Sequence, residues 1–102
     1  AAAQCARDTL ELVCDVQDEA AVRDAVRAAA AWRGGLDVVV LNHGVSHTRS
    51  ALTVEWPEWR RVLDVNLKSV VHVALESVRH LRAPGCVVLV ASVAAFGAGP
   101  GL

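Results

Sequence analysis

The stretch LDVVVL, from Leu36 to Leu41, decides the fold of this chain. It is a continuous run that is almost wholly apolar and rich in β-branched valine, and it does not alternate between apolar and polar residues. Such a run is typical of a strand that is buried on both faces of a parallel sheet. We therefore expect a strand at Leu36–Leu41 with both of its faces covered.

The sequence before this strand predicts a strand followed by a helix. Residues 1–7 are typical of the last turns of a helix, and residues 11–14 (ELVC) are short, apolar and tolerant of a β conformation. Asp18 is a suitable N-cap for a helix that runs to about Arg33. Gly34 and Gly35 then end that helix.

The sequence after the strand predicts a loop, a long helix and a further strand. Residues 42–51 are polar and contain glycine, which favours a loop. Residues 55–82 predict a long helix, because Pro57 falls in its first turn and Ala83-Pro84-Gly85 follows its end. Residues 86–91 (CVVLVA) predict a third apolar strand.

The long helix carries more apolar residues than one face requires. Residues at helical spacing form a stripe that we expect to pack on the sheet, and further apolar residues lie off that stripe. The stripe comprises Trp59, Leu63, Leu67, Val70, Ala74, Val78 and Leu81, with Asn66 on or beside it, and the other apolar residues are Val62, Val65, Val73 and Leu75.

The resulting fold class is α/β, a partial Rossmann-type doubly wound parallel sheet with the order strand-helix-strand-helix-strand. In open parallel sheets, ligands bind beyond the carboxyl ends of the strands. We therefore expect three segments to meet at one rim: Asp15-Val16, Asn42-His43-Gly44 and Ser92-Val93.

Composition excludes several classes of function. The 102 residues are 54% hydrophobic with a net charge of −1, and no basic patch favours nucleic acid. No apolar run is long enough to span a bilayer. Cys5, Cys14 and Cys86 match neither a zinc site nor a redox pair, so we expect reduced thiols in an intracellular, cytoplasmic protein. This expectation does not extend to flanking targeting or anchor segments.

Four segments, in this order and with this spacing, resemble the short-chain dehydrogenase/reductase family. LVCDVQD at 12–18 looks like the Asp-Val segment after the family's third strand, and LNHG at 41–44 resembles its Asn-Asn-Ala-Gly element, with His43 in place of the usual Ala. LDVNL at 63–67 is similar to the helix motif that contains an Asn, and VASVA at 90–94 is similar to the strand end that bears the catalytic Ser. The resemblance covers nearly the whole chain.

This resemblance implies a cofactor, NAD or NADP, and residues that hold it. Asp15 would accept a hydrogen bond from the adenine amino group, with Val16 beside the ring. Asn42 and Gly44 would form the wall along the cofactor ribose, where a residue without a side chain permits close approach. From the residues alone, Asp15 is equally a loop carboxylate that caps a helix, and Gly44 a turn glycine.

The resemblance also implies two catalytic roles. Ser92 would hydrogen-bond and orient the substrate oxygen, and Asn66 would hold a water molecule in a proton relay to a lysine. The alternatives are a strand-end serine that bonds locally and a core asparagine that bonds a neighbouring backbone group. The substrate implied is a small alcohol or carbonyl compound.

The family's other motifs are expected outside these residues. The sequence contains no Tyr, and the family's Tyr-x-x-x-Lys would begin beyond Leu102, as its glycine-rich loop would precede Ala1. We therefore expect residues 1–102 to be a single incomplete dinucleotide-binding domain, the central portion of a longer enzyme and inactive by itself. The alternative is a truncated, non-catalytic Rossmann-like binding or interaction fragment.

Three further expectations concern assembly, metals and hydrolysis. A helix that is apolar nearly all round is buried twice, so we expect a homo-oligomer through the helix at 55–82, where family members commonly pair. His43 and His47 lie four apart in a loop that contains Gly44, which argues against a metal site. Ser92 has no Gly-x-Ser-x-Gly elbow, which argues against a hydrolase.

Overall fold

The computed structural model describes residues 8–47, 50 and 52–97. Two parallel strands and two long helical segments form its framework, and a π-helical turn interrupts the second segment. The elements are α1 (Glu19–Arg33), β1 (Leu36–Leu41), α2 (Trp56–Leu63), the π-turn (Asp64–Lys68), α3 (Ser69–Val78), β2 (Leu81–Leu89) and a 3₁₀ turn (Val93–Ala95).

The first helix has the ends that the sequence predicts. The Asp18 carboxylate accepts hydrogen bonds from the amides of Ala20 and Ala21 at 2.9 and 3.0 Å. These bonds satisfy amides that have no partner within the helix. Gly34 ends the helix with φ of 73°, a left-handed conformation that glycine adopts without steric cost.

The two strands pair in parallel, which confirms the α/β class. Val39 lies opposite Val87 and Leu41 opposite Leu89, and the Val90 amide extends the ladder to the Leu41 carbonyl at 2.9 Å. Both strands therefore end at the same edge of the sheet, and the segments that follow them are neighbours.

The expected strand at residues 11–14 does not form. Its backbone pairs with neither β1 nor β2, and Val13 is fully exposed. A strand is stable only where an adjacent strand satisfies its amides and carbonyls, and none lies beside these residues in the described chain. The helix expected at residues 1–7 lies outside the described residues.

The second helical segment is shorter than expected, and the strand after it is longer. The helix begins at Trp56 and ends at Val78 instead of extending to residue 82, and β2 spans Leu81–Leu89 instead of 86–91. The reason is that the Leu36 amide bonds the His80 carbonyl at 2.9 Å, so the parallel ladder begins there.

A register irregularity follows from this early start of β2. Leu36 pairs with Leu81 and Val38 pairs with Cys86, so residues 82–85 lie opposite the single residue Asp37. The Arg82 guanidinium forms a two-pronged ion pair with the Asp37 carboxylate. Two parallel hydrogen bonds from a planar guanidinium fix the orientation of both side chains, and here they join the two strands at the irregularity.

The face of the second helical segment that packs is not the expected stripe. Val65, which lies off that stripe, is buried together with Ser69, Glu76 and Ser77. A π-turn takes more residues per turn than an α-helix, so it rotates α3 relative to the α-helical spacing. The exposed apolar residues now follow one line along the helix: Leu63, Leu67, Val71, Leu75 and Val78.

Only one face of the two-stranded sheet is covered in the described residues. Helices α1 and α3 pack together and against the sheet, and Leu41 is buried beneath them. On the opposite face, Val38 is 60% exposed and Val40 is 58% exposed. The expectation that β1 is buried on both faces is therefore wrong for this polypeptide.

We predict that the 102-residue polypeptide, expressed alone, does not unfold cooperatively. Its radius of gyration is 16.1 Å, against about 13 Å for a compact domain of this size. The exposed apolar face of the sheet, which includes Val38 and Val40, also favours dye binding and aggregation. Calorimetry and near-ultraviolet circular dichroism would test this, and a sharp two-state transition would contradict it.

Candidate active-site groove

A groove of about 630 Å³ lies at the carboxyl ends of β1 and β2. Its walls are formed by the segments that follow the two strands and by one face of the helix that crosses between them. The lining comprises residues 41–46 and 89–92, with Asn66 and Val70. Asn42, Gly44, Asn66 and Ser92, which the sequence singled out, therefore share one groove.

The described lining of the groove carries no carboxylate, lysine or arginine. Its polar groups are amides, hydroxyls, the His43 imidazole and the backbone. Such a surface can bind the uncharged face of a ligand and direct a few hydrogen bonds at it.

Asn66 holds the loop that follows β1. Its side-chain oxygen accepts from the Val45 amide at 2.8 Å, and its side-chain nitrogen donates to the Val45 carbonyl at 2.7 Å. Asn66 thus bonds a backbone group of the loop, but it is exposed and is not the core asparagine of the alternative interpretation. Its role in a proton relay stays a prediction. The π-turn that contains Asn66 is a feature often found at functional sites.

Gly44 lies beside Asn66 in a conformation that other residues adopt. Its φ is not positive, so the backbone does not require glycine. A methyl group added at Gly44 would lie 3.4 Å from the Asn66 side-chain oxygen, an ordinary contact. The protein itself therefore has room for a side chain here, and the role of Gly44 beside a cofactor stays a prediction.

Ser92 caps the 3₁₀ turn after β2. Its hydroxyl oxygen accepts from the Ala94 amide at 3.2 Å, and the residue is exposed. The hydroxyl donates to no described residue, so its proton is available to a ligand oxygen in the groove. A local cap and a substrate contact are compatible at this position.

Asp15 and Val16 do not line this groove. The Asp15 carboxylate accepts from the Gln17 amide at 2.9 Å and closes a turn before α1. Val16 lines a smaller cavity of about 70 Å³ together with Lys68, Ser69 and His72. The adenine contacts of Asp15 and Val16 stay predictions.

Sequence reasoning missed a contact between His43 and Ser69. The His43 Nε2 atom lies 2.8 Å from the Ser69 hydroxyl, and Ser69 is only 3% exposed. The available signal was that Ser69 follows Asn66 by three residues, so both face the same side of the helix. The departure of His43 from the resembled motif was the second signal.

Charges near the start of α1 join it to the π-turn. Lys68 bonds Glu19 at 3.0 Å, and this hydrogen bond and charge hold the pKa of the Glu19 carboxyl below its usual range.

Cys14 precedes this helix and has a thiol of low reactivity. Partial desolvation, and then the charges of Asp18 and Asp15, raise the pKa of its thiol, so it stays protonated and is a poor nucleophile at neutral pH.

The histidines do not converge on a metal site in the described ranges. His47 stacks at a tilt on Trp59, with ring centroids 5.3 Å apart, whereas His43 contacts Ser69. No group of three or more histidine, cysteine, aspartate or glutamate residues gathers in this part of the chain. No described helix is both long and apolar enough to cross a membrane.

Comparison with known proteins identifies the family. The family model described as Enoyl-(Acyl carrier protein) reductase matches residues 1–102. The chain is 44% identical over 96 residues to 4-formylbenzenesulfonate dehydrogenase of Comamonas testosteroni, an alignment that covers 91% of this chain and 38% of that protein. The chain belongs to the short-chain dehydrogenase/reductase family.

Solved structures show the same fold. A short-chain dehydrogenase of Burkholderia cenocepacia in complex with NADP matches with a TM-score of 0.80 and 31% identity, over 86% of this chain and 36% of that one. Carveol dehydrogenase of Mycobacterium avium in complex with NAD matches with a TM-score of 0.78 and 32% identity, over 85% and 33%. The chain thus spans about a third of the length of these relatives, between 33% and 38%.

We predict that Asn66→Ala lowers the free energy of unfolding of the complete protein by about 1–2 kcal/mol, because two hydrogen bonds to Val45 are lost. Asn66→Asp is the matched variant, since it keeps the acceptor but sets a carboxylate oxygen against the Val45 carbonyl. Both variants should be destabilised in denaturant titrations. Wild-type stability of Asn66→Asp would show that the donated bond does not form.

Proposed function

We propose that the complete protein is an NAD(P)-dependent oxidoreductase that transfers hydride between the nicotinamide and an alcohol or carbonyl substrate. The observation that carries this proposal is that Asn42, Gly44, Asn66 and Ser92 share one groove at the carboxyl edge of the sheet. The names of the relatives support it, since all three that are described above are dehydrogenases and two of them are solved in complex with NADP or NAD.

In this proposal residues 1–102 are one incomplete dinucleotide-binding domain, its central portion. Asn42 and Gly44 form the wall beside the cofactor ribose, and the groove has room for a ligand there because Gly44 adds no side chain. Asp15 accepts from the adenine amino group, with Val16 beside the ring. The cofactor, when bound, supplies or accepts the hydride.

Ser92 orients the substrate oxygen in this proposal. Its exposed hydroxyl keeps a proton to donate, because its oxygen alone is used by the Ala94 amide. Asn66 holds the groove wall through Val45 and takes part in the proton relay. The proton donor in this proposal is the tyrosine of the family's Tyr-x-x-x-Lys motif.

A second candidate is a non-catalytic binding or interaction fragment. The open sheet face at Val38 and Val40 favours it, because an apolar surface of this kind binds other polypeptides. The two candidates differ in one measurable property, since only an oxidoreductase changes the absorbance of a nicotinamide cofactor on addition of substrate. An intracellular, cytoplasmic location is common to both proposals.

We predict that Ser92→Ala lowers kcat of the complete enzyme about 10²-fold while the affinity for NAD(P)H is unchanged, because the lost hydroxyl contacts substrate and not cofactor. Activity would be followed at the nicotinamide absorbance band with a panel of alcohols and carbonyl compounds. Ser46→Ala is the matched control, since Ser46 also lines the groove. Equal effects of the two substitutions would contradict the role of Ser92.

We further propose that the complete protein is a homo-oligomer that pairs through the helical segment from Trp56 to Val78, the helix expected at 55–82. Leu63, Leu67, Val71, Leu75 and Val78 leave a continuous apolar line on the outer side of this helix. A line of large apolar side chains at helical spacing is typical of a surface that packs against a second helix. The inner side of the same helix is already buried through Val65 and Ser69.

Leu67→Asp should dissociate this oligomer, because a charge placed within an apolar helix interface costs desolvation energy that no partner restores. Sedimentation velocity of the complete protein at micromolar concentration would measure the change. Leu52→Asp is the control, since Leu52 is 95% exposed and lies before the helix. A wild-type protein that sediments as a monomer would overturn the proposal.

A further inference from the structure

The Ser69 hydroxyl bonds a backbone carbonyl that the π-turn leaves without its usual amide partner. The Ser69 amide bonds the Asp64 carbonyl, five residues back, instead of the Val65 carbonyl, four residues back. The Ser69 hydroxyl donates to the Val65 carbonyl in its place. A hydroxyl has one proton, so the only role left to the Ser69 oxygen is that of acceptor.

This arrangement decides how His43 and Ser69 interact. Because the Ser69 proton is used by Val65, the hydrogen bond at 2.8 Å must be donated by His43 from Nε2. The hydrogen-bond network therefore assigns a proton to Nε2. Consecutive bonds that run in one direction, from His43 to Ser69 to Val65, polarise and strengthen one another.

Two anchors thus hold the backbone on either side of Gly44. His43 is bonded to Ser69, and Val45 is bonded through both its amide and its carbonyl to Asn66. Both anchoring side chains come from one short region of the helix, at the π-turn and directly after it. Gly44 lies between them and lines the groove.

We infer that His43 is a positioning residue of the cofactor groove, which holds the backbone at Gly44 in place by donating to the buried hydroxyl of Ser69. This inference rests on the proposed function. His43 acts through the loop, so its loss weakens cofactor binding and leaves the chemical step in the ternary complex intact. A loop that is already held in place loses less conformational entropy when the cofactor binds, so the affinity for the cofactor is higher.

The test is isothermal titration of NADH and NADPH into the complete protein and its variants. His43→Ala and Ser69→Ala should each weaken binding about five- to tenfold, the effect of one hydrogen bond. The double variant should be no weaker than either single variant, because both remove the same bond. At saturating cofactor, kcat should change less than twofold in each, on the same reasoning.

A conservative variant of His43 tests whether the hydrogen bond to Ser69, and not the size of the imidazole, is what cofactor binding requires. His43→Gln should retain binding within about twofold, since its amide nitrogen reaches about as far as Nε2 and donates. His80→Ala, a histidine at the opposite end of the sheet, is the matched control and should bind as wild type. If His43→Ala does not fold, Ser69→Ala and His43→Gln still provide the comparison.

The outcomes distinguish this inference from the proposed function. Wild-type protein that binds neither NADH nor NADPH would overturn the proposed function, and the inference with it. Wild-type binding with unchanged affinity in His43→Ala and Ser69→Ala would overturn the inference alone. A lower melting temperature without weaker cofactor binding would also overturn it, because the contact would then serve stability only.

Discussion

The parallel pairing of Leu36–Leu41 with Leu81–Leu89 is the constraint on which the rest of the structure depends. Parallel strands cannot be joined by a tight turn, so the chain between them has to cross over one face of the sheet. The α2, π-turn and α3 segment makes this crossover and, with α1, covers that face. The same pairing places the carboxyl ends of both strands at one edge, and the groove is the space beyond that edge.

The π-turn links this packing to the groove. It contains the buried Val65 and the exposed Leu67, and the buried Ser69 follows it directly. It also moves the Ser69 amide to the Asp64 carbonyl, which leaves the Val65 carbonyl to the Ser69 hydroxyl. This short segment therefore contributes to the exposed apolar line on the outer side of the helix through Leu67, and to the support of the loop after β1 through Asn66 and Ser69.

Much of the groove could be predicted from the sequence because it depends on strand ends. The strand at Leu36–Leu41 is recognised from its own residues, and the rule that ligands bind beyond the carboxyl ends of parallel strands then places Asn42, Gly44 and Ser92 at the groove. The strand predicted at residues 11–14 failed for the opposite reason, since a strand depends on neighbours that its own residues do not specify. The stripe predicted on the helix failed because a single π-turn changes the spacing on which the prediction depends.

The sequence by itself determined the α/β class, the first helix with its Asp18 cap and its end at Gly34, the strand at Leu36–Leu41, and the residues that line the groove beyond the strands. These are properties of local pattern, in which each residue's preference and its neighbours along the chain are sufficient. Only the tertiary structure decided the start of β2, the face on which the long helix packs, and the bond between His43 and Ser69. Each of these depends on the distance between groups that are remote along the chain, and that distance follows from packing, not from the local preferences of the residues involved.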